Sequence, residues 1–198
     1  MDLTPVTLSG NHVRLEPLAT EHCAALWSAT LDTEIWRWFP FELGSEQDLV
    51  GFAQMAEGLN EAGNALAFAI VETASGTPVG ATGYWNVDAA NRRVEIGGTW
   101  ITKSRQRSPV NTEAKLLLLT HAFETLDCIR VEFKTDALNE RSRAALARIG
   151  AREEGTLRRH MVLPSGRLRD SVYFSIIAEE WPAARERLCE MLGSRRGV

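Results

Sequence analysis

The run Ile129-Arg-Val-Glu-Phe-Lys-Thr135, followed by Asn139-Glu140-Arg141-Ser142 and then by Leu146, Ile149 and Gly150 at helical spacing, decides the fold. The first segment alternates apolar and polar residues as a half-buried strand does, and the second opens a helix. Gly150-Ala151 returns the chain toward another strand. Upstream, a strand candidate from Val94 to Ile101 leads through a basic polar loop into a helix that starts near Pro109. Two helix N-termini therefore stand beside neighbouring strand ends. Their unpaired N–H groups and partial positive charge suit a phosphate-bearing ligand, so the pattern points to a cofactor before it points to a substrate.

Other elements surround this unit. His12-Val-Arg-Leu-Glu-Pro17 alternates as a strand, and Thr20 is placed to cap a helix whose apolar face includes Cys23, Ala24, Leu26 and Trp27. An aromatic loop, Trp36-Arg-Trp-Phe-Pro-Phe41, precedes Ser45, which with Asp48 resembles a capping box for a helix to about Asn60. Leu66 to Val71, Val79 to Trp85 and Arg93 to Ile101 read as strands. Ser108 as N-cap with Pro109 at the first helical position is a strong helix start, because proline's missing donor is redundant there. Apolar positions 114, 117, 118, 121, 122 and 125 mark one face of that helix, and 116, 119, 123 and 126 widen it. Arg152 to Val162 and Arg169 to Ile177 form a hairpin, and Trp181-Pro182 opens a C-terminal helix. Ser194 to Val198 reads as a frayed tail. The sum is a mixed α/β sheet in one domain over 1–198.

Composition bounds the function. At 198 residues and 22.0 kDa the chain suits one domain with a sizeable core. A formal net charge of −4 gives no general attraction to nucleic acid, and the basic cluster Lys103 to Arg107 has no interleaved aromatics. No apolar run approaches the ~20 residues needed to span a bilayer, and the Met-Asp-Leu-Thr-Pro start has no signal-peptide pattern. Cys23, Cys128 and Cys189 are odd in number and widely spaced, which suggests neither a disulfide framework nor a zinc site. A cytoplasmic protein without a metal is the expectation.

The ordered segments resemble the GNAT N-acetyltransferase superfamily, in its RimJ/RimL-type ribosomal-protein N-terminal acetyltransferase branch. The matching residues are Val94-Glu-Ile-Gly-Gly-Thr-Trp-Ile101, Gln106 through Asn111-Thr-Glu-Ala-Lys115, His121-Ala-Phe-Glu124, Arg130-Val-Glu, Asn139-x-x-Ser142, Gly150, Glu154-Gly155, Arg169-Asp170 and Glu180-Trp181. The resemblance runs from about Leu8 to Leu192. It implies a mostly antiparallel sheet flanked by helices, whose central parallel strands splay apart. It also implies acetyl-CoA as cosubstrate, a primary amine as acceptor (a protein N-terminus or a small molecule), and a homodimer. One departure stands out. The superfamily's pyrophosphate loop, Gln/Arg-x-x-Gly-x-Gly/Ala, reads here Gln106-Arg-Ser-Pro109-Val-Asn111, so both small positions are replaced. The amides of Val110, Asn111 and Thr112, with Gln106 and Ser108, are the candidates to hold the anion. Backbone near Trp100, Ile101 and Thr102 is the expected rail for the pantetheine arm.

The resemblance also assigns chemistry. Asn139 is a good N-cap and, compatibly, a pantetheine contact. Ser142 is the candidate to hydrogen-bond the CoA sulfur; the tyrosine that many members use as general acid falls in register at Leu146, which transfers no proton. Glu95 leads as general base, against a plain alternative in which it is an ion-paired strand residue partnered by Arg92 or Arg93. The branch's carboxylate after the Glu-Gly element falls in register at Met161, with His160 adjacent. Trp36, Trp38 and Phe41 either line an acceptor pocket or fill core, and Glu42 is a candidate to attract a cationic amine. A CoA-binding module without transfer activity is the competing reading.

Overall fold

The strands form one eight-stranded sheet in the order β1-β2-β3-β4-β5-β6-β8-β7, whose central strands β3 and β4 are buried on both faces. The strands are β1 (Leu8–Ser9), β2 (Val13–Pro17), β3 (Leu66–Glu72), β4 (Pro78–Asp88), β5 (Arg93–Ile101), β6 (Arg130–Asp136), β7 (Arg152–Val162) and β8 (Leu168–Ile177). The helices are α1 (Cys23–Thr30), α2 (Glu46–Glu61), α3 (Pro109–Thr120), α4 (Glu140–Arg148) and α5 (Trp181–Met191). The computed structural model describes residues 1, 3–30 and 33–193. The tail expected at 194–198 lies outside the described residues.

Two cores cover the two faces of the sheet. One joins α3 and α5 to inward residues of the strands, among them Phe68, Tyr84, Val94, Ile96, Val131, Phe133, Phe174 and Ile176. The other gathers Cys23, Leu26, Leu49 and Ala53 of α1 and α2 against Ala67, Ala69, Ala81 and Trp100. The Glu113 carboxylate of α3 accepts the N–H groups of Asn11, His12 and Val13 at 2.9, 2.6 and 2.7 Å, which fixes the helix against the β1–β2 turn.

Every adjacent pair is antiparallel except β5 and β6. These two pair only at Arg93↔Arg130, Val94↔Val131 and Glu95↔Glu132, then part. β5 continues along β4 and β6 along β8, so a wedge-shaped opening separates Ile96–Ile101 from Phe133–Asp136. The expected splay is present.

Several local expectations change. Thr20 lies within a short 3-10 turn, Thr20–His22, whose cap is Ala19; its N–H donates to His22 Nδ1 at 3.2 Å. Residues Thr33–Trp38 of the expected aromatic loop form a 3-10 helix. The helix expected from Pro109 to about 125 is α-helical to Thr120 and widens into a π turn over His121–Thr125. β5 carries one extra residue opposite Thr82, and Gly98 there adopts φ +61°, a conformation that glycine alone enters without strain.

Candidate active site

The paired base of the wedge is held by charge. Arg93 bridges Asp88 at 3.1 Å and Glu132 at 3.0 Å, and Arg130 bridges Glu132 and Glu154. The guanidinium of Arg130 holds the Glu154 carboxyl down to about 2, with a further hydrogen bond from Ser175 Oγ. Arg92 pairs with Asp127. Neither arginine expected as a partner of Glu95 therefore serves it.

Glu95 sits at the last paired position, where the strands begin to diverge, and is 6% exposed. Its Oε2 accepts from Asn86 Nδ2 at 2.8 Å and Lys134 Nζ at 3.3 Å. Its Oε1 turns toward Gly97, where a Cβ would lie 3.1 Å away. Asn86 reaches it from a positive-φ position, φ 49°, which asparagine tolerates better than most residues. The ammonium of Lys134 also lies 5.9 Å from the centre of the Tyr173 ring, against which His160 packs edge-on at 5.9 Å. The register shift between Leu157 and Met161, with Arg159 at φ 49°, brings His160 beside Tyr173 although strict alternation set it apart. Glu95, Lys134, Tyr173 and His160 thus form one row.

The two helix starts meet over the open end. Ser108 Oγ accepts the Val110 N–H at 3.3 Å, and Asn139 Oδ1 accepts the Ser142 N–H at 3.0 Å. Gln106 links them: its Nε2 donates to Ile101 O at 3.1 Å, and its Oε1 accepts from Arg141 Nη2 at 2.8 Å. The donor set differs from expectation. The Val110 amide serves its own cap and its side chain is core. Thr112 is the fourth helical residue, so its amide belongs to the intrahelical ladder. Asn111 remains, with an N–H that has no intrahelical partner by its position and a buried Oδ1 without a hydrogen bond. The Thr102 amide donates to Val79 O at 2.8 Å, toward β4. Trp100 O likewise points at β4, so Ile101 is the residue whose backbone turns into the wedge. Asn139 keeps its NH₂, and Ser142 is half-buried beside it. Leu146 is core.

The wedge fits a long thioester arm. Its walls are strand edges, and its mouth carries two helix N-termini, where the Asn111 N–H at the third position of α3 has no intrahelical partner. The bulge at Gly98 turns Thr99 and Ile101 toward α3. There Thr99 Oγ1 accepts from Lys115 Nζ at 2.7 Å and shares a hydrogen bond with Thr82 at 2.8 Å. Lys115 is 6% exposed without a carboxylate bonded to it, and burial lowers its pKa to about 7. Sequence reasoning missed it; a lysine at an apolar helix position is the signal. In the folded chain this lysine stays neutral down to about pH 7, whereas unfolded it protonates below about 10.5. Stability is therefore lost as pH falls from 10.5 to 7 and is level below. Lys115→Met is expected to raise stability by a few kcal/mol near pH 6 and by much less at pH 10, read from denaturant melts at both.

The aromatic segment divides. Trp36 is 4% exposed and packs on Trp100 at 5.7 Å and Phe41 at 6.0 Å, so it is core and not a pocket wall. Phe41 stacks on Phe52 at 5.5 Å. Trp38 is half-buried and bound to β8: its C=O accepts from Arg169 Nη1 at 3.0 Å, and Arg167 lies 5.7 Å over its ring. Glu42 is exposed and is not among the groups around Glu95. Among the described residues no cluster of metal-ligating side chains occurs, and no helix is long and apolar enough to cross a membrane.

Residues 12–152 match the Acetyltransferase (GNAT) domain family. The Bacillus subtilis (strain 168) protein YdaF, a ribosomal N-acetyltransferase by assigned name alone, is 41% identical over 96 residues, which are 48% of this chain and 51% of that one. The chain thus spans about half the length of that relative. A GCN5-related N-acetyltransferase structure from Brucella melitensis superposes with a TM-score of 0.89 at 30% identity, covering 97% of this chain and 87% of the other. Mycobacterium smegmatis RimJ in complex with CoA-disulfide superposes at 0.83 and 26% identity, with 97% of each chain covered. With the family match spanning most of the chain and the splayed sheet in place, the chain belongs to the acetyltransferase (GNAT) domain family.

Proposed function

We propose that this protein is an acetyl-CoA-dependent N-acetyltransferase acting on a primary amine, with a protein N-terminus favoured over a small molecule as acceptor. The observation that carries the reading is Glu95, a buried carboxylate at the last paired position before β5 and β6 part, with Oε1 turned toward Gly97. The ribosomal N-acetyltransferase name of the Bacillus subtilis relative supports the choice of acceptor. Acetyl-CoA supplies the activated acyl group. Ile101, Asn111, Asn139 and Ser142 bind and orient it along the wedge, and Ser142 holds the sulfur by a hydrogen bond from its hydroxyl. Val94, Ile96, Val131 and Phe133 exclude water beneath.

An α-ammonium has a pKa near 8 and must lose a proton before it can attack a carbonyl. Glu95 Oε1 takes that proton, while Asn86 and Lys134 fix the carboxylate through Oε2. The transfer runs directly or through one water. Thiol release from acetyl-CoA, followed with a panel of N-terminal peptides and small amines, tests the proposal. Amine-dependent release with stoichiometric N-acetyl product is expected. Saturable CoA binding without release across the panel would instead identify a binding module.

A further inference from the structure

Lys115 is a buried titratable group to which the mechanism above gives no task. Its helix neighbours Ala114, Leu118 and Leu119 are fully buried, and burial alone drives its pKa down to about 7. An amine held in such surroundings without a bonded carboxylate lowers stability, and an apolar side chain there would raise it. What no apolar side chain supplies is the hydrogen bond that Lys115 makes.

That bond falls on the bulge of β5. Ala81 pairs with Trp100 and Gly83 with Gly97, so Thr82 of β4 stands opposite two residues, Gly98 and Thr99. A bulge leaves its extra residue unpaired in the ladder, so side-chain contacts decide how firmly it is held. Here Lys115 Nζ donates to Thr99 Oγ1 at 2.7 Å, and Thr99 Oγ1 shares a hydrogen bond with Thr82 Oγ1 at 2.8 Å. Three polar groups thus join β4, β5 and α3 where β5 leaves regular pairing. Both ends of this chain lie close in sequence to groups assigned to CoA. Ile101 is two residues beyond Thr99, and Asn111 is one helical turn before Lys115 on the same face of α3. Between them residues 102–108 form a loop with a single 3-10 turn, Lys103–Arg105, which does not by itself fix the strand against the helix. Gln106 braces that loop from the mouth through Ile101 O, and Lys115 braces it from within the core.

We infer that Lys115 is a positioning residue for acetyl-CoA. Through Thr99 it sets the bulge of β5 against α3, and with it the spacing between the strand that guides the pantetheine arm and the helix start that takes the pyrophosphate. The inference rests on the proposed acetyl-CoA reading. It also accounts for an amine at a place where stability alone favours an apolar side chain.

The test sets affinity for CoA against stability. Lys115→Met is expected to melt higher than the parent at pH 7, yet to bind CoA roughly tenfold more weakly by calorimetry. Its kcat/KM for acetyl-CoA is expected to fall by a similar factor, with KM for the acceptor amine unchanged. Thr99→Val is expected to repeat the loss of affinity, and the double variant to bind no worse than either single one, because both changes break the same link. Thr99→Ser keeps the hydroxyl and is expected to stay within about twofold of the parent. Parent affinity in Lys115→Met, or two single losses that multiply in the double variant, overturns the inference while leaving the transferase reading intact. Loss of affinity confined to variants that melt lower than the parent marks general damage to packing and overturns it too. A parent protein that binds no CoA would instead remove the reading on which the inference rests.

Discussion

Glu95→Gln is expected to lower kcat/KM for a peptide acceptor at pH 7 by about 10²–10⁴-fold, the range that a positioned general base contributes. The replacement keeps the volume of the side chain and an amide oxygen to accept from Asn86 or Lys134, so the wedge persists. What disappears is the proton acceptor directed at Gly97. The sign of the pH dependence follows from the acceptor. Below about pH 8 its amine is protonated and needs the base; above, the free amine is already abundant. The deficit of the variant is therefore expected to shrink between pH 7 and pH 9, with affinity for CoA unchanged. Equal activity of parent and variant across that range would take Glu95 out of the mechanism.

Gly80→Ala is expected to cause the largest loss of stability of any conservative change near the site, about 3–5 kcal/mol. A Cβ at Gly80 would stand 2.2 Å from Trp100 O and 3.0 Å from Ile101 Cα. Both are backbone of the adjacent strand, so no side-chain rotation relieves the contact. β4 and β5 must part, and the strand that lines the wedge must move with them. Gly51, on an exposed turn of α2 with nothing within 4 Å of its would-be Cβ, supplies the contrast. Gly51→Ala is expected to be neutral or to stabilise by up to about 1 kcal/mol. Denaturant unfolding of the two variants side by side reads the difference; equal stabilities would mean that the strands are not in this close register.

The sequence displays the frame of this molecule more plainly than its site. Ser108-Pro109 and Asn139 announce helix starts because capping is local chemistry, and the structure shows both side chains accepting first-turn amides. The splay depends on which edges pair, a long-range matter, and it was reached through the resemblance. Side-chain faces in β5 were misleading for a physical reason. Strict alternation puts Glu95 and Thr99 on one face, but the extra residue at Gly98 sends Thr99 to α3 instead. The backbone donors also read differently, since a loop amide such as that of Thr102 shows no trace in sequence of its bond to Val79. Trp36 illustrates the ambiguity of an aromatic cluster, whose members fill core or line a pocket by the same preference.

The most direct measurement is a structure of the protein with CoA bound. The arm is expected between β5 and β6, hydrogen-bonded to the Ile101 backbone, with its pyrophosphate at the Asn111 end of α3 and its sulfur within hydrogen-bonding reach of Ser142, across from Glu95. A wedge filled by side chains, with CoA bound elsewhere or not at all, would contradict the account.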